Sequence, residues 1–217
     1  MPFLDEKVQG EVREQLAELE EEVSLLLFTR EEDCQFCDET AQLLREVADL
    51  SAKVNLEVRD LEESMEVAEH YQVDKVPALV VQGEQDHGIR FYGIPSGYEF
   101  GSLLEIIRLV SKDDPELGEE QRGKLASLEH PVHLQVFVTP TCPYCPRAVV
   151  AAQKMAMASE WVRADMVEAS EFPELTQHYQ VQGVPRTIMN EEHHIEGAVP
   201  EEHLLEWVLS EAGSSGE

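Results

Sequence analysis

The sequence predicts an α/β protein built as two tandem copies of one unit. Three observations carry that expectation. A two-cysteine motif stands twice between a strand-like apolar run and a helix-like run, as Cys34-Gln35-Phe36-Cys37 and Cys142-Pro143-Tyr144-Cys145. The same 108 positions separate Cys34 from Cys142, Pro77 from Pro185 and His70 from His178. Three landmarks at one offset mark an internal duplication. Finally, strand-length and helix-length apolar patterns alternate in the same order through both halves.

The elements follow in order. Residues 5 to 21 are expected as an amphipathic helix, because Val8, Val12, Leu16 and Leu19 recur three or four apart. Val23 to Phe28 is an apolar run of buried-strand length. The helix after the first CxxC should turn Ala41, Leu44, Val47 and Ala48 inward. Val54 to Val58 alternates, with Val54, Leu56 and Val58 on one side. Leu61 to Tyr71 is a helical stretch, and Ala78 to Val81 with Ile89 to Tyr92 reads as a hairpin around Gly83 to Gly88. Tyr98 to Val110 closes the first unit. Ser111-Lys112-Asp113-Asp114-Pro115 breaks that helix. We therefore expect domains at 1–112 and 113–217.

The second unit repeats the order. A short helix covers Glu119 to Leu128, and a strand covers Val132 to Val138. The helix from Arg147 to Ser159 should turn Val149, Ala152, Met155 and Ala156 inward. Then come a strand from Val162 to Val167, a helix from Glu171 to Tyr179 and a strand from Thr187 to Met189. His194-Ile195 is at best a short edge strand. Glu201 to Leu209 forms the closing helix, and Glu211 to Glu217 is expected to fray.

Strand, tight turn with two cysteines, then helix is the pattern of a thiol–disulfide redox site. Cys142 would stand at a helix N-terminus, where unpaired N–H groups and the dipole favour an anion. A thiolate is the nucleophile, so this placement activates it. Cys145 lies one turn on, near enough to close a disulfide. Cys34 and Cys37 have the same spacing. All 4 cysteines fall in these two pairs. Combining them in one zinc site is disfavoured: such sites separate the pairs by about 15–20 residues, whereas Cys37 and Cys142 stand 105 positions apart. His193, His194 and His203 are expected as surface histidines, not metal ligands. We expect no cofactor and no metal.

The formal charge of −29 argues against nucleic acid and against an anionic membrane surface as partners. The bland role of so acidic a surface is solubility; a sharper one is adaptation to high salt, which screens self-repulsion. The stretch Met1 to Lys7 has no apolar signal core, and no apolar run is long enough to span a bilayer. A cytoplasmic location is expected, and there a CxxC is more often catalytic or metal-binding than structural.

The order of elements, with a Val-Pro pair before each hairpin, resembles the thioredoxin fold, and Cys142-Pro143-Tyr144-Cys145 is similar to the glutaredoxin active site. Two such units in tandem resemble the protein disulfide oxidoreductases of thermophiles. The resemblance implies a mixed four-stranded sheet in each unit, flanked by helices. It implies cis bonds at Val76–Pro77 and Val184–Pro185, with these four residues and Tyr144 binding an extended substrate. Gly93 and Gly197 follow the two hairpins, and their bland role is a residue with positive φ; the resemblance equally implies a glycine there that lets a substrate approach the sulfur. Thioredoxins carry a buried acid six residues before the first cysteine; Phe28 and Val136 stand there, as in glutaredoxins. Arg186 has no counterpart at Ala78, and could either favour a thiolate, bind an acidic group or simply be solvated.

The resulting expectation is a protein thiol–disulfide oxidoreductase. Cys142 attacks a substrate disulfide and Cys145 resolves the mixed disulfide, with Cys34/Cys37 as a second redox pair. Its partners would be protein disulfides, with a thioredoxin reductase-like flavoprotein or glutathione as electron donor. The alternatives are an electron-transfer module between a flavoprotein and a peroxidase, and a peptide-binding chaperone. Glu31, Glu32, Asp33, Asp38 and Glu39 crowd Cys34, and negative charge disfavours a thiolate. Cys142 has Arg147 nearby instead, so it is expected to be the principal nucleophile.

Overall fold

The computed structural model describes residues 2–214. In the first unit, α1 (Glu6–Leu16), β1 (Val23–Thr29), α2 (Cys37–Ala48), β2 (Val54–Asp60), α3 (Met65–His70), β3 (Ala78–Gln82), β4 (Ile89–Tyr92) and α4 (Glu99–Lys112) follow in order. In the second, α5 (Glu119–Ala126), β5 (Val132–Val138), α6 (Cys145–Ala158), β6 (Val162–Glu168), α7 (Pro173–His178), β7 (Arg186–Met189), β8 (His193–Glu196) and α8 (Glu201–Ser214) do the same. Each unit is a mixed sheet of four strands with helices on it.

The two sheets are joined. Their strands form one eight-stranded sheet in the order β2-β1-β3-β4-β6-β5-β7-β8. The join is a parallel pairing of β4 with β6, from Ile89 opposite Ala164 to Tyr92 opposite Val167. Strand alternation sends Val23, Leu25 and Leu27 into one apolar cluster and Leu26 and Phe28 into another. The first cluster draws on both units. Salt-linked polar groups also cross the join. Arg163 of β6 donates to the Tyr92 hydroxyl at 2.9 Å and to the Gln72 carbonyl at 3.0 Å. Its charge is matched by buried Asp165, which also meets His133 Nε2 at 2.6 Å. On β4, Arg90 is buried and donates to both oxygens of Asp86, at 2.7 and 2.6 Å.

Several expected boundaries shift for local reasons. The first helix ends at Leu16, well short of residue 21. The Ser111 hydroxyl oxygen takes the N–H groups of Glu20 and Glu21 at 2.8 and 2.9 Å, drawing that acidic stretch away. Residues 61–64 stay out of α3 because Asp60 Oδ1 accepts from the Glu62 and Glu63 N–H groups at 2.9 and 3.1 Å. Residues 171 and 172 likewise precede α7: the Glu171 N–H donates to Glu168 Oε2 at 2.7 Å, and Pro173 opens the helix. The second CxxC helix starts earlier than expected, at Cys145. The frayed tail expected from Glu211 is helical through Ser214, with Ala212 buried; positions 215–217 lie outside the described residues. On β2 the inward side is incomplete, since Val58 is exposed on an edge strand.

Candidate active site

In the second unit, β5 runs through the core and ends at Val138. The chain then turns, with the Cys142 N–H donating to the Thr139 carbonyl at 3.1 Å. Cys142 itself stands three residues before the first residue of α6. Its sulfur, not its backbone, meets the helix N-terminus: Cys142 Sγ accepts the Cys145 N–H at 3.2 Å. The helix-start N–H, a group that favours an anion, thus faces the Cys142 sulfur. Cys142 and Cys145 form a disulfide with Cα atoms 5.5 Å apart. Cys142 is 8% exposed, Cys145 is buried, and Tyr144 between them is 66% exposed.

In the first unit, β1 delivers the chain into an exposed acidic turn, Glu31-Glu32-Asp33. Cys34 is half-buried and Cys37, the first residue of α2, is buried. They too are disulfide-bonded, with Cα atoms 5.6 Å apart. Asp38 and Glu39 occupy the first turn of α2 and are exposed. The sequence-based charge count at this site overlooked Arg30 and Arg45. Both line a cleft of about 520 Å³ beside Cys37, together with Glu31, Asp38 and Asp60. Arg30 is paired with Glu62 at 3.2 Å.

Val76–Pro77 and Val184–Pro185 are both cis and both lead into the third strand of their unit. The Val184 carbonyl lies 3.8 Å from Cys142 Sγ, which brings the Val-Pro landmark and the cysteine pair together. After each hairpin a glycine with positive φ returns to the proline. Gly93 donates to the Pro77 carbonyl at 3.0 Å and Gly197 to that of Pro185 at 2.8 Å. Arg186 is committed elsewhere: its Nη1 meets Glu196 Oε1 at 2.9 Å across the β7–β8 pair. The residues His70 and His178 end α3 and α7, and each stacks edge-on against the next tyrosine.

Three carboxyls that the sequence did not single out stand where the units meet. Glu99 opens α4, is buried, and accepts from the Ser102 hydroxyl at 2.6 Å; burial pushes its carboxyl up to about 7. It follows Tyr98, whose N–H donates to the carbonyl of Pro140 in the second cysteine turn at 3.0 Å. Glu168 ends β6 and is buried. Glu171 accepts the Ile94 N–H at 2.7 Å, and burial pushes its carboxyl up to about 7 as well. One signal was available: Asp60 and Glu168, an acid at the end of the strand beside each CxxC strand, stand 108 positions apart.

Two CxxC disulfides, each at the turn from a strand into a helix, define a class. Residues 26–105 and 132–210 both match the model of the thioredoxin domain, and the chain belongs to that family. It is a thiol–disulfide oxidoreductase of the thioredoxin fold. Among solved structures it is similar to a protein disulfide oxidoreductase from Aeropyrum pernix, with a TM-score of 0.90 and 30% identity, covering 97% of this chain and 94% of that one. It is also similar to the NTD_N/C domain of the alkylhydroperoxide reductase AhpF from Enterococcus faecalis, with a TM-score of 0.88 and 28% identity, covering 95% of this chain and 100% of that one. Among curated proteins, an alkyl hydroperoxide reductase polypeptide of Staphylococcus epidermidis is 28% identical over 183 residues, which is 80% of this chain. The chain spans about a third of that relative's length, 34%. Among the described residues no helix is long and apolar enough to cross a membrane.

Proposed function

We propose that the chain is a protein disulfide oxidoreductase whose principal nucleophile is Cys142. The observation that carries this is the Cys142 sulfur held at the start of α6, accepting the Cys145 N–H at 3.2 Å, with the Val184 carbonyl alongside. In the reduced enzyme the Cys142 thiolate attacks one sulfur of a substrate disulfide, and the other substrate sulfur leaves as a thiolate. Cys145 then attacks Cys142 Sγ, closing the Cys142–Cys145 disulfide and releasing the second substrate thiol. Two electrons pass from the dithiol to the substrate. A thiol or dithiol donor restores the enzyme, either glutathione or a thioredoxin reductase-like flavoprotein. Val184 and Pro185 bind the extended substrate and Tyr144 covers it; Val76 and Pro77 are their counterparts beside Cys34 and Cys37, the second redox pair. The units are 1–112 and 113–217, with the end of α4 at Lys112 and the left-handed Asp113 supporting that boundary.

With dithiothreitol as donor, the wild type should reduce insulin disulfides. Cys142→Ser should fall to the level of a variant lacking all four cysteines, while Cys34→Ser keeps most of the activity. The reverse ranking overturns the assignment of Cys142.

The likeness to the alkyl hydroperoxide reductase proteins favours a second reading, in which the chain passes electrons from a flavoprotein to a peroxidase. Peroxide consumption in a mixture of NADH, a thioredoxin reductase-type flavoprotein, this chain and a thiol peroxidase would support it if it depends on the chain.

A further inference from the structure

The two cysteine pairs differ most in what flanks them. In each unit the glycine after the hairpin is hydrogen-bonded to the proline carbonyl, so it lies beside the Val-Pro segment. In the second unit that flank is open. Gly197 and Pro200 are exposed, Ala198 and Val199 are half-buried, and a Cβ on Gly197 would meet nothing within 4 Å. In the first unit Gly93, Ile94 and Pro95 are all buried. A Cβ on Gly93 would lie 2.6 Å from Glu168 Cβ and 2.8 Å from Glu171 Oε1. The Ile94 N–H, which an incoming strand would need, is taken by Glu171 Oε1 at 2.7 Å. Glu171 is itself anchored through its N–H to Glu168 Oε2 at 2.7 Å. A turn of the second unit thus fills, beside Pro77, the space that is free beside Pro185.

We propose that the Glu168–Glu171 turn is a built-in plug that denies the first site to polypeptide disulfides, leaving Cys34–Cys37 to small disulfides and dithiols. Glu171 is then a specificity-determining residue acting across the join between units. A polypeptide must lay several residues along the Val-Pro segment, and the filled flank blocks them. A small disulfide needs the sulfur alone, and Cys34 is half-buried, more open than Cys142. The inference deepens the assignment of protein substrates to Cys142 and rests on it.

The test uses the full chain carrying Cys142→Ser and Cys145→Ser, so that the first site acts alone. Adding Glu171→Ala should raise insulin reduction to roughly 10-fold above the rate of the variant lacking all four cysteines, while reduction of glutathione disulfide stays unchanged. Glu171→Gln keeps both bulk and acceptor, and should leave both activities at the parent level. If the alanine variant does not fold, as read by circular dichroism, Glu171→Asp withdraws the carboxylate by one methylene and should open the site in the same direction. The plug is overturned by no gain towards insulin in a folded opening variant, by equal gains on both substrates, or by a glutamine variant that gains as much as alanine. A different failure would count against Cys142 itself: a first-site-only parent that already reduces insulin at the wild-type rate.

Discussion

The strands β4 and β8 hold the same place in the repeat and have opposite surroundings. β4 is buried at every position, whereas β8 is half-buried and exposed by turns. The cause is the head-to-tail join, which gives β4 a neighbour and leaves β8 at the end of the sheet. The second strands differ in the reverse sense: β6 is almost wholly buried and β2 lies on the outer edge. Duplication copies a fold, but the environment of each copy is set by which edge meets which. Two sites with one design have thereby acquired different flanks.

The sharpest way to break this comparison is at its charged anchor. Arg90 of β4 is replaced in register by His194 of β8, since each is the second residue of its strand. Arg90→Ala strands Asp86, which is only 27% exposed, and should cost about 3 kcal/mol, the lower end for halving a buried pair. His194→Ala, at an exposed position, should stay within about 0.5 kcal/mol. Denaturant midpoints of the two variants measure the difference; equal losses would mean that the burial of β4 gives the Arg90–Asp86 pair no added weight.

The glycines give a second contrast. Gly93 and Gly197 have φ of 91° and 81°, so an alanine at either is strained by about 1–2 kcal/mol. Gly93→Ala must in addition displace Glu168 and Glu171, and should cost roughly 1–3 kcal/mol more from overpacking. Thermal unfolding of the two alanine variants, side by side, reads that excess.

The smallest effect is a pH slope. Glu99 and Glu171 both have an ordinary value of 4.5 and are pushed up to about 7 by burial. The folded state therefore holds protons that the unfolded chain has released. Their stabilisation is complete below about pH 4.5 and is lost as pH rises through about 7. The denaturation midpoint should fall between pH 5 and pH 8, and less steeply in the Glu99→Gln/Glu171→Gln variant. An unchanged slope would place the titration elsewhere than at the meeting of the units.

Much of this was legible beforehand. The cysteine pairs, the Val-Pro landmarks and the returning glycines all recur in the chain, and β5 falls at its expected bounds. The join was not legible. Periodicity reports which face of a strand is apolar; it does not report which edge finds a neighbour. Arg163 and Asp165 make β6 read as half-solvated, yet Asp165 is buried between Arg163 and His133. The carboxyls of Glu99, Glu168 and Glu171 were hidden among 45 acidic residues, most of which face water. Helix ends moved where a side chain, such as Ser111 or Asp60, captured backbone groups from outside the periodic pattern.

The pairing of β4 with β6 joins unlike edges of equivalent units. A contact of that kind has no internal stop: each copy added presents the same free edge again, and repetition ends in a closed ring or runs on as a fibre. The chain carries that rule once, in its middle. Its outermost strands carry the terminators. β8 shows His194 and Glu196 to solvent, and β2 shows Asn55 and Glu57, where the joined edges have Phe91 and Met166 buried. Polar and charged edges of this sort resist further strand addition. The sheet makes its join once, and at either end the polar composition of the outermost strand opposes a further copy.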